Sequence, residues 1–323
     1  MKNKTFVIAE IGNSHSGNFK YAINAIDFAK KAGADAVKFQ YIKPEELVHP
    51  NLKPYDPSSK FRSQLEKFKK ITLKLDDYKK LSKYAHKKKI KFGLSVFDLS
   101  AIKEVKNIVD FYKIASGDIR FKHLIKKITN TKKSVIISTG ISNYNEIKKM
   151  KFKKNISILH CLSKYPSDSS DLGMAIIPKL QANFKKNKIG YSDHTNSYLS
   201  CLCAVSLGAK IIEKHFVINY KNKLVPDYNV SIDTKDFNKM IIAIREIEKM
   251  LYNEKKIPYK NKITIQRSWY AKNEIKINTI LNEKNCIYLR PYNKKGLDLN
   301  LKKKFLNKKI INKFDLITKD KIY

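Results

Sequence analysis

No run in this chain of 323 residues approaches the roughly 20 apolar residues needed to cross a bilayer, so no membrane-spanning segment is expected. The first apolar run, Phe6-Val-Ile-Ala9, is cut by Glu10 far too early for a secretion signal. It reads as a buried strand, and a cytoplasmic location is the expectation. Cysteine is scarce: Cys161, Cys201, Cys203 and Cys286 have neither metal-ligand nor disulfide-framework spacing and are expected as buried free thiols. Arginine is nearly as scarce. Against a formal net charge of +38, only Arg62, Arg120, Arg245, Arg267 and Arg290 are arginines, and the rest of the positive charge is lysine spread along the chain. Proteins that track a nucleic-acid backbone gather charge in one groove and interleave aromatics; no such block stands out, so no nucleic-acid partner is expected. The field would instead draw in anionic, phosphorylated substrates. A dinucleotide loop is missing too, because Gly12-Asn-Ser-His-Ser-Gly17 lacks the G-x-G-x-x-G spacing that an open doubly wound sheet would carry after its first strand.

What the chain does have is alternation. Short β-branched runs at Phe6–Ile11, Ala36–Gln40, Ile90–Phe97, Phe111–Ala115, Ser134–Ser138, Ile156–Cys161, Lys188–Ser192 and Lys210–Phe216 read as strands. Between them lie amphipathic stretches at Tyr21–Ala32, Leu75–Lys87, Ala101–Val109, Phe121–Thr129, Asn143–Met150, Gly173–Phe184 and Tyr198–Leu207, with Thr234–Leu251 closing the series. Regular strand–helix alternation argues a parallel sheet, and eight repeats argue a (β/α)₈ TIM barrel over residues 1–252. Residues 253–265 are polar and Lys-rich with Pro258 and read as a linker. Residues 266–323 change character, with short β-like pieces at Ser268–Ala271 and Ile287–Leu289, and are expected to form a small β-rich domain that leans on something larger.

Functional groups of such a barrel sit at the C-terminal ends of its strands. Those ends offer Glu10, Lys38 with Gln40, Ser95, Lys113 with Ser116 and Asp118, Ser138-Thr-Gly140, His160 with Ser163, Ser192-Asp-His194, and Glu213 with His215. An unsatisfied buried polar group costs about 1–3 kcal/mol, so polar residues at all eight ends are hard to explain by packing. Glu10 is expected to orient substrate or act as a general acid or base. Lys38 and Lys113, each inside an apolar strand, are expected to meet phosphate or carboxylate, and the serines suit phosphate oxygens. His194 and His215, at consecutive strand ends with Asp193 and Glu213 behind them, are expected to hold a divalent metal such as Mn²⁺, Co²⁺, Zn²⁺ or Mg²⁺. His15, in the first loop, is a further substrate-binding candidate.

Together these motifs resemble the nonulosonate synthases, the sialic acid (N-acetylneuraminate) synthase family. The matching stretches are Ala9-Glu-Ile-Gly12 with His15-Ser-Gly17, Ala32-Gly-Ala-Asp-Ala-Val-Lys-Phe-Gln40, Lys113-Ile-Ala-Ser-Gly-Asp118, Ser138-Thr-Gly140, Leu159-His-Cys161 with Tyr165-Pro166, Gly190-Tyr-Ser-Asp-His-Thr195, and Glu213-Lys-His-Phe216 with Pro226-Asp227. Arg267-Ser268 through Leu289-Arg-Pro291 resembles the family's small antifreeze-like (SAF) domain. The resemblance implies condensation of phosphoenolpyruvate with an N-acetylated amino sugar and release of phosphate. It implies that His194 and His215 hold the metal, with Mn²⁺ the first choice. It assigns Lys38, Ser95, Lys113, Ser116, Ser163 and Ser192 to phosphoenolpyruvate, Glu10 and Asp227 to sugar hydroxyls, and Asp118, where the family has glutamate, to proton handling or water orientation. It also implies a domain-swapped homodimer in which Arg290 reaches the sugar's N-acetyl group in the partner's barrel. Ser163-Lys-Tyr-Pro166 is closer to the pseudaminate and spore-coat branches, so N-acetylmannosamine and a 2,4-diacetamido-6-deoxy hexose both stay open as acceptors. An inactive barrel with a glycan-binding tail would be expected to lose Glu10, Lys38 or a histidine, and none is lost.

Overall fold

The computed structural model describes residues 4–54, 61–221, 225–252, 262–300 and 304–323. The chain divides into two compact units, Met1–Asn253 and Glu254–Tyr323. Most of the expected linker, residues 253–261, lies outside the described residues, and Lys262–Ile265 is a short helix. Among the described residues no helix is long and apolar enough to cross a membrane.

The first unit is a closed barrel of eight parallel strands in sequence order. They are β1 (Phe6–Gly12), β2 (Ala36–Tyr41), β3 (Lys91–Val96), β4 (Phe111–Ile114), β5 (Ser134–Ser138), β6 (Ile156–His160), β7 (Ile189–Asp193) and β8 (Ile211–His215). Each matches an expected run to within a residue or two. Leu75–Lys87 matches its expected range and Phe19–Ala32 starts two residues early, whereas Ala101–Val105 stops early and Ile176–Asn183 starts three residues after Gly173. Two helices in the long loop after β2, Pro44–Leu47 and Gln64–Ile71, have no counterpart among the expected elements.

Strand periodicity explains how one chain builds both a core and a polar mouth. Outward residues such as Val7, Ala9 and Ile11 pack under the helices in the main core. Inward residues near the strand starts (Ile8, Ala36, Phe111, Ile136, Leu159 and Ile211) form a separate apolar plug inside the barrel. The Phe111 ring fills the space over Gly93, where a Cβ would stand 2.2 Å from it, so only glycine fits. Two residues beyond Ile8, Ala36, Phe111, Ile136 and Ile211 the inward positions turn polar, as Glu10, Lys38, Lys113, Ser138 and Glu213. The ends of the first helix, Phe19–Ala32, follow from its sequence: the Asn18 side chain accepts from the Tyr21 N–H at 2.9 Å, and Gly33 stops it at φ 98°.

In the second unit β9 (Ser268–Ala271) pairs antiparallel with β10 (Cys286–Leu289). Its core gathers Ala271, Ile275, Leu281, Cys286, Leu299, Ile311, Ile317 and Ile322. Asn307, fully buried, ties its loops together: its amide nitrogen donates to the Lys276 and Lys309 carbonyls, and its oxygen accepts from the Thr279 N–H. The cysteine expectation needs one correction. Cys161, Cys201 and Cys286 are buried thiols, but Cys203 is exposed, because two residues along a helix point to different faces.

Candidate active site

At the C-terminal end of the barrel lies a cavity of about 260 Å³, lined by Glu10, Lys38, Gln40, Ser95, Lys113, Ser116, Ser138, Ser192, His194, Glu213, His215 and Asp227 among others. Register sets its centre. Glu10 is paired with Lys38 of β2 on one side and with His215 of β8 on the other, and Ser192 stands opposite Glu213. Lys38 Nζ lies 2.7 Å from Glu10 Oε2, 2.9 Å from Ser95 Oγ and 3.8 Å from Glu213 Oε2. Lys113 Nζ donates to Ser138 Oγ at 2.6 Å and lies 3.5 Å from Glu213 Oε1, which accepts from Ser192 Oγ at 2.8 Å. Both lysines and both carboxylates are at most 4% exposed. Two cations, two carboxyls and three hydroxyls thus form one buried ring.

Its electrostatics are lopsided. Burial pushes the Glu10 carboxyl up to about 7 against the pull of Lys38, with Glu213 adding to the rise. Burial also opposes ionisation of Glu213, but Lys113 and Lys38 outweigh it and hold that carboxyl well below the usual range. For Lys38 the two carboxylates overcome desolvation and raise it, whereas Lys113 is lowered by burial. Near neutrality the ring therefore carries a proton that Glu10 can give or take, and in the form with Glu10 protonated its two lysines face one carboxylate, Glu213.

The histidine pair sits beside this ring, with ring centroids 5.5 Å apart. Burial lowers both pKa values and keeps both imidazoles neutral. His194 Nδ1 lies 2.6 Å from the Leu162 carbonyl, which can only accept, so the proton is on Nδ1 and Nε2 is the acceptor nitrogen, which here takes the Tyr165 hydroxyl and would exchange it for a metal. Two neutral nitrogens suit a divalent cation completed by water or substrate oxygens. Among the described residues no group of three or more His, Cys, Asp or Glu side chains is arranged to hold a metal. Tyr165 stacks on His194 at 4.2 Å between centroids, with its hydroxyl 3.2 Å from Nε2. Asp227 Oδ2 lies 3.8 Å from His215 Nδ1.

Other residues singled out by the sequence land elsewhere. Asp193 turns to the helix side of the barrel, where the Tyr191, Thr195 and Ser200 hydroxyls and Lys214 hold it; it does not back the histidines as expected. His15 is buried, accepts from the Gly17 N–H at 3.1 Å and does not line the cavity. Asp118 is half-buried in the turn Ser116–Asp118 and is not among the lining residues; burial raises its carboxyl to about 6, with Lys113 opposing. Ser163 is exposed at the rim, where a Cβ on Gly140 would meet its Oγ at 2.5 Å and that of Ser116 at 2.9 Å. Arg290 is exposed on the second unit. Sequence reasoning misses Glu213 as a ring member, and it misses Asn13, Gln64, Lys67 and Tyr165 in the lining. Parity along β8 places Glu213 inside with His215, and Tyr165 belongs to a stretch that resembles the synthases; the loop residues give no comparable signal.

Residues 25–256, more than half of the chain, match the family model described as the NeuB family. The chain belongs to the NeuB family. The N,N'-diacetyllegionaminic acid synthase of Campylobacter jejuni is 34% identical to it, over 94% of this chain and 95% of that protein. A pseudaminic acid synthase of the same species is 32% identical, over 89% and 88% of the two chains. The crystal structure of an N-acetylneuraminic acid (sialic acid) synthetase from Leptospira borgpetersenii superposes with a TM-score of 0.70 at 31% identity, covering 80% of this chain and 89% of that one. This NeuB-family chain is accordingly an enzyme of the nonulosonate synthase type.

Proposed function

We propose that the enzyme condenses phosphoenolpyruvate with the aldehyde of an N-acetylated amino sugar and releases phosphate. One observation carries the reading: two buried lysines and a set of hydroxyls line the same cavity as two neutral imidazoles. On this reading Lys38 and Lys113 take the carboxylate and phosphate of phosphoenolpyruvate, with Ser95, Ser116, Ser138, Ser163 and Ser192 on the remaining oxygens. Glu10 and Asp227, with Gln40, orient the sugar. C3 of phosphoenolpyruvate forms the new bond to the aldehyde carbon. Glu10 then gives its proton to the oxygen that develops there. Water adds at C2, with Asp118 orienting it from the rim, and the tetrahedral carbon expels phosphate to leave the 2-keto acid. His194 and His215 would hold a divalent metal, Mn²⁺ first, which when bound supplies Lewis-acid polarisation of the aldehyde.

N-acetylmannosamine and a 2,4-diacetamido-6-deoxy hexose are the two acceptor classes, and 34% against 32% identity does not choose between the legionaminate and pseudaminate branches. The second unit is read as an SAF-like domain whose Arg290 serves the partner's barrel in a swapped homodimer, and a cytoplasmic location belongs to the same reading. With Mn²⁺ present, phosphate should be released from phosphoenolpyruvate only on addition of an acceptor from these classes. Release without sugar, or none with any acceptor, overturns the proposal.

A further inference from the structure

The helix Gln64–Ile71 covers one side of the cavity with a single face. Gln64, Lys67, Phe68 and Ile71 stand at i, i+3, i+4 and i+7, and all four line the cavity. The helix is fixed at its start: Ser63 Oγ accepts from the Glu66 N–H at 3.2 Å, and the Gln64 N–H donates to the Leu52 carbonyl at 2.8 Å. Gln64 is 2% exposed, yet its side-chain Nε2 has no hydrogen-bond partner among the described residues. A buried amide donor left unpaired is costly, and such groups in native proteins call for a partner supplied by something else. Lys67 is the one charged residue of the four, and its charge favours ionisation of the Asp227 carboxyl against burial.

We propose that this face reads a second acetamido group of the acceptor, distinct from the N-acetyl group given to Arg290, with Gln64 Nε2 donating to the acyl oxygen and Phe68 and Ile71 receiving the methyl. The inference rests on the functional reading above and adds a specificity-determining residue to it. A neutral donor beside two apolar side chains matches a neutral acceptor carrying a methyl. A hydroxyl would leave the apolar pair unused, and an anion would be met better by a lysine.

The test is Gln64→Leu, which keeps the volume and removes the donor. For the acceptor that wild type uses best, counterparts are made with each acetamido in turn replaced by hydroxyl. Wild type should prefer the parent over each counterpart. Gln64→Leu should raise KM for the parent about tenfold and lose the preference over one counterpart, with kcat and the KM for phosphoenolpyruvate unchanged. Because the donor is unpaired, Tm should stay level or rise. Unaltered discrimination in an active variant overturns the proposal. So does a lowered Tm with equal losses for every substrate, which would assign Gln64 to structure. If wild type itself turns over none of the acceptors, the functional reading falls and takes this inference with it.

Discussion

At the scale of single residues the site is governed by Glu10. Its carboxyl, raised to about 7 mainly by burial, is protonated on the acid side of neutrality and ionised above it. As the proton donor to the new hydroxyl it must be protonated in the free enzyme, so kcat/KM should fall as pH rises through about 7. Glu10→Gln should lower kcat/KM by about 100-fold or more and abolish that limb of the pH profile. Asp118→Asn should leave that limb in place, because orienting water asks for an ionised Asp118, whose carboxyl, raised to about 6, titrates on the acid side instead. A limb that survives in Glu10→Gln removes Glu10 from the proton step. The sequence made Glu10, Lys38 and Lys113 conspicuous because a charged residue inside an apolar strand has no cheap structural reason to be there. It could not show that the lysines meet Glu10 and Glu213 first, since that depends on which side of the barrel each side chain leans toward.

At the scale of elements, the two histidines stand at the ends of β7 and β8, and what aligns these strands lies on the far side of the sheet. Asp193 and Lys214 are opposite in register and both fully buried, and Lys214 also donates to the Thr195 carbonyl. This ion pair stitches the strand ends immediately before His194 and His215. Lys214→Met alone leaves a buried carboxylate uncompensated and should cost about 3–5 kcal/mol, read as a lower denaturant midpoint. Asp193→Asn with Lys214→Met should cost distinctly less, and equal losses would refute the coupling. Strand and helix order was legible because eight short β-branched runs alternate with longer amphipathic stretches. The direction of Asp193 was legible too, for it follows from the parity that puts Ser192 inside, but proximity in sequence to His194 obscured it. The helix Gln64–Ile71 stayed hidden for a different reason. With three lysines and few apolar residues its pattern is that of a solvated loop, and only the barrel mouth gives its one mixed face something to cover.

At the scale of the whole molecule the question is why a barrel with a complete polar mouth carries a second unit at all. That unit has its own small core, and Arg290 stands exposed at the end of β10. If Arg290 completes the partner's sugar site in a swapped dimer, Arg290→Ala should raise KM for the sugar and leave the KM for phosphoenolpyruvate alone. Such a rise by itself would not distinguish service in cis from service in trans, but mixing does. A chain with Arg290→Ala keeps an intact barrel, and a chain with His215→Ala keeps an intact tail. Co-expressed, a swapped heterodimer pairs the first chain's barrel with the second chain's Arg290 and rebuilds one wild-type site. Sugar saturation curves of the mixture should then contain a component with wild-type KM that neither variant shows alone. Were each barrel served by its own tail, no such component could arise at any mixing ratio, because every site would lack either His215 or Arg290.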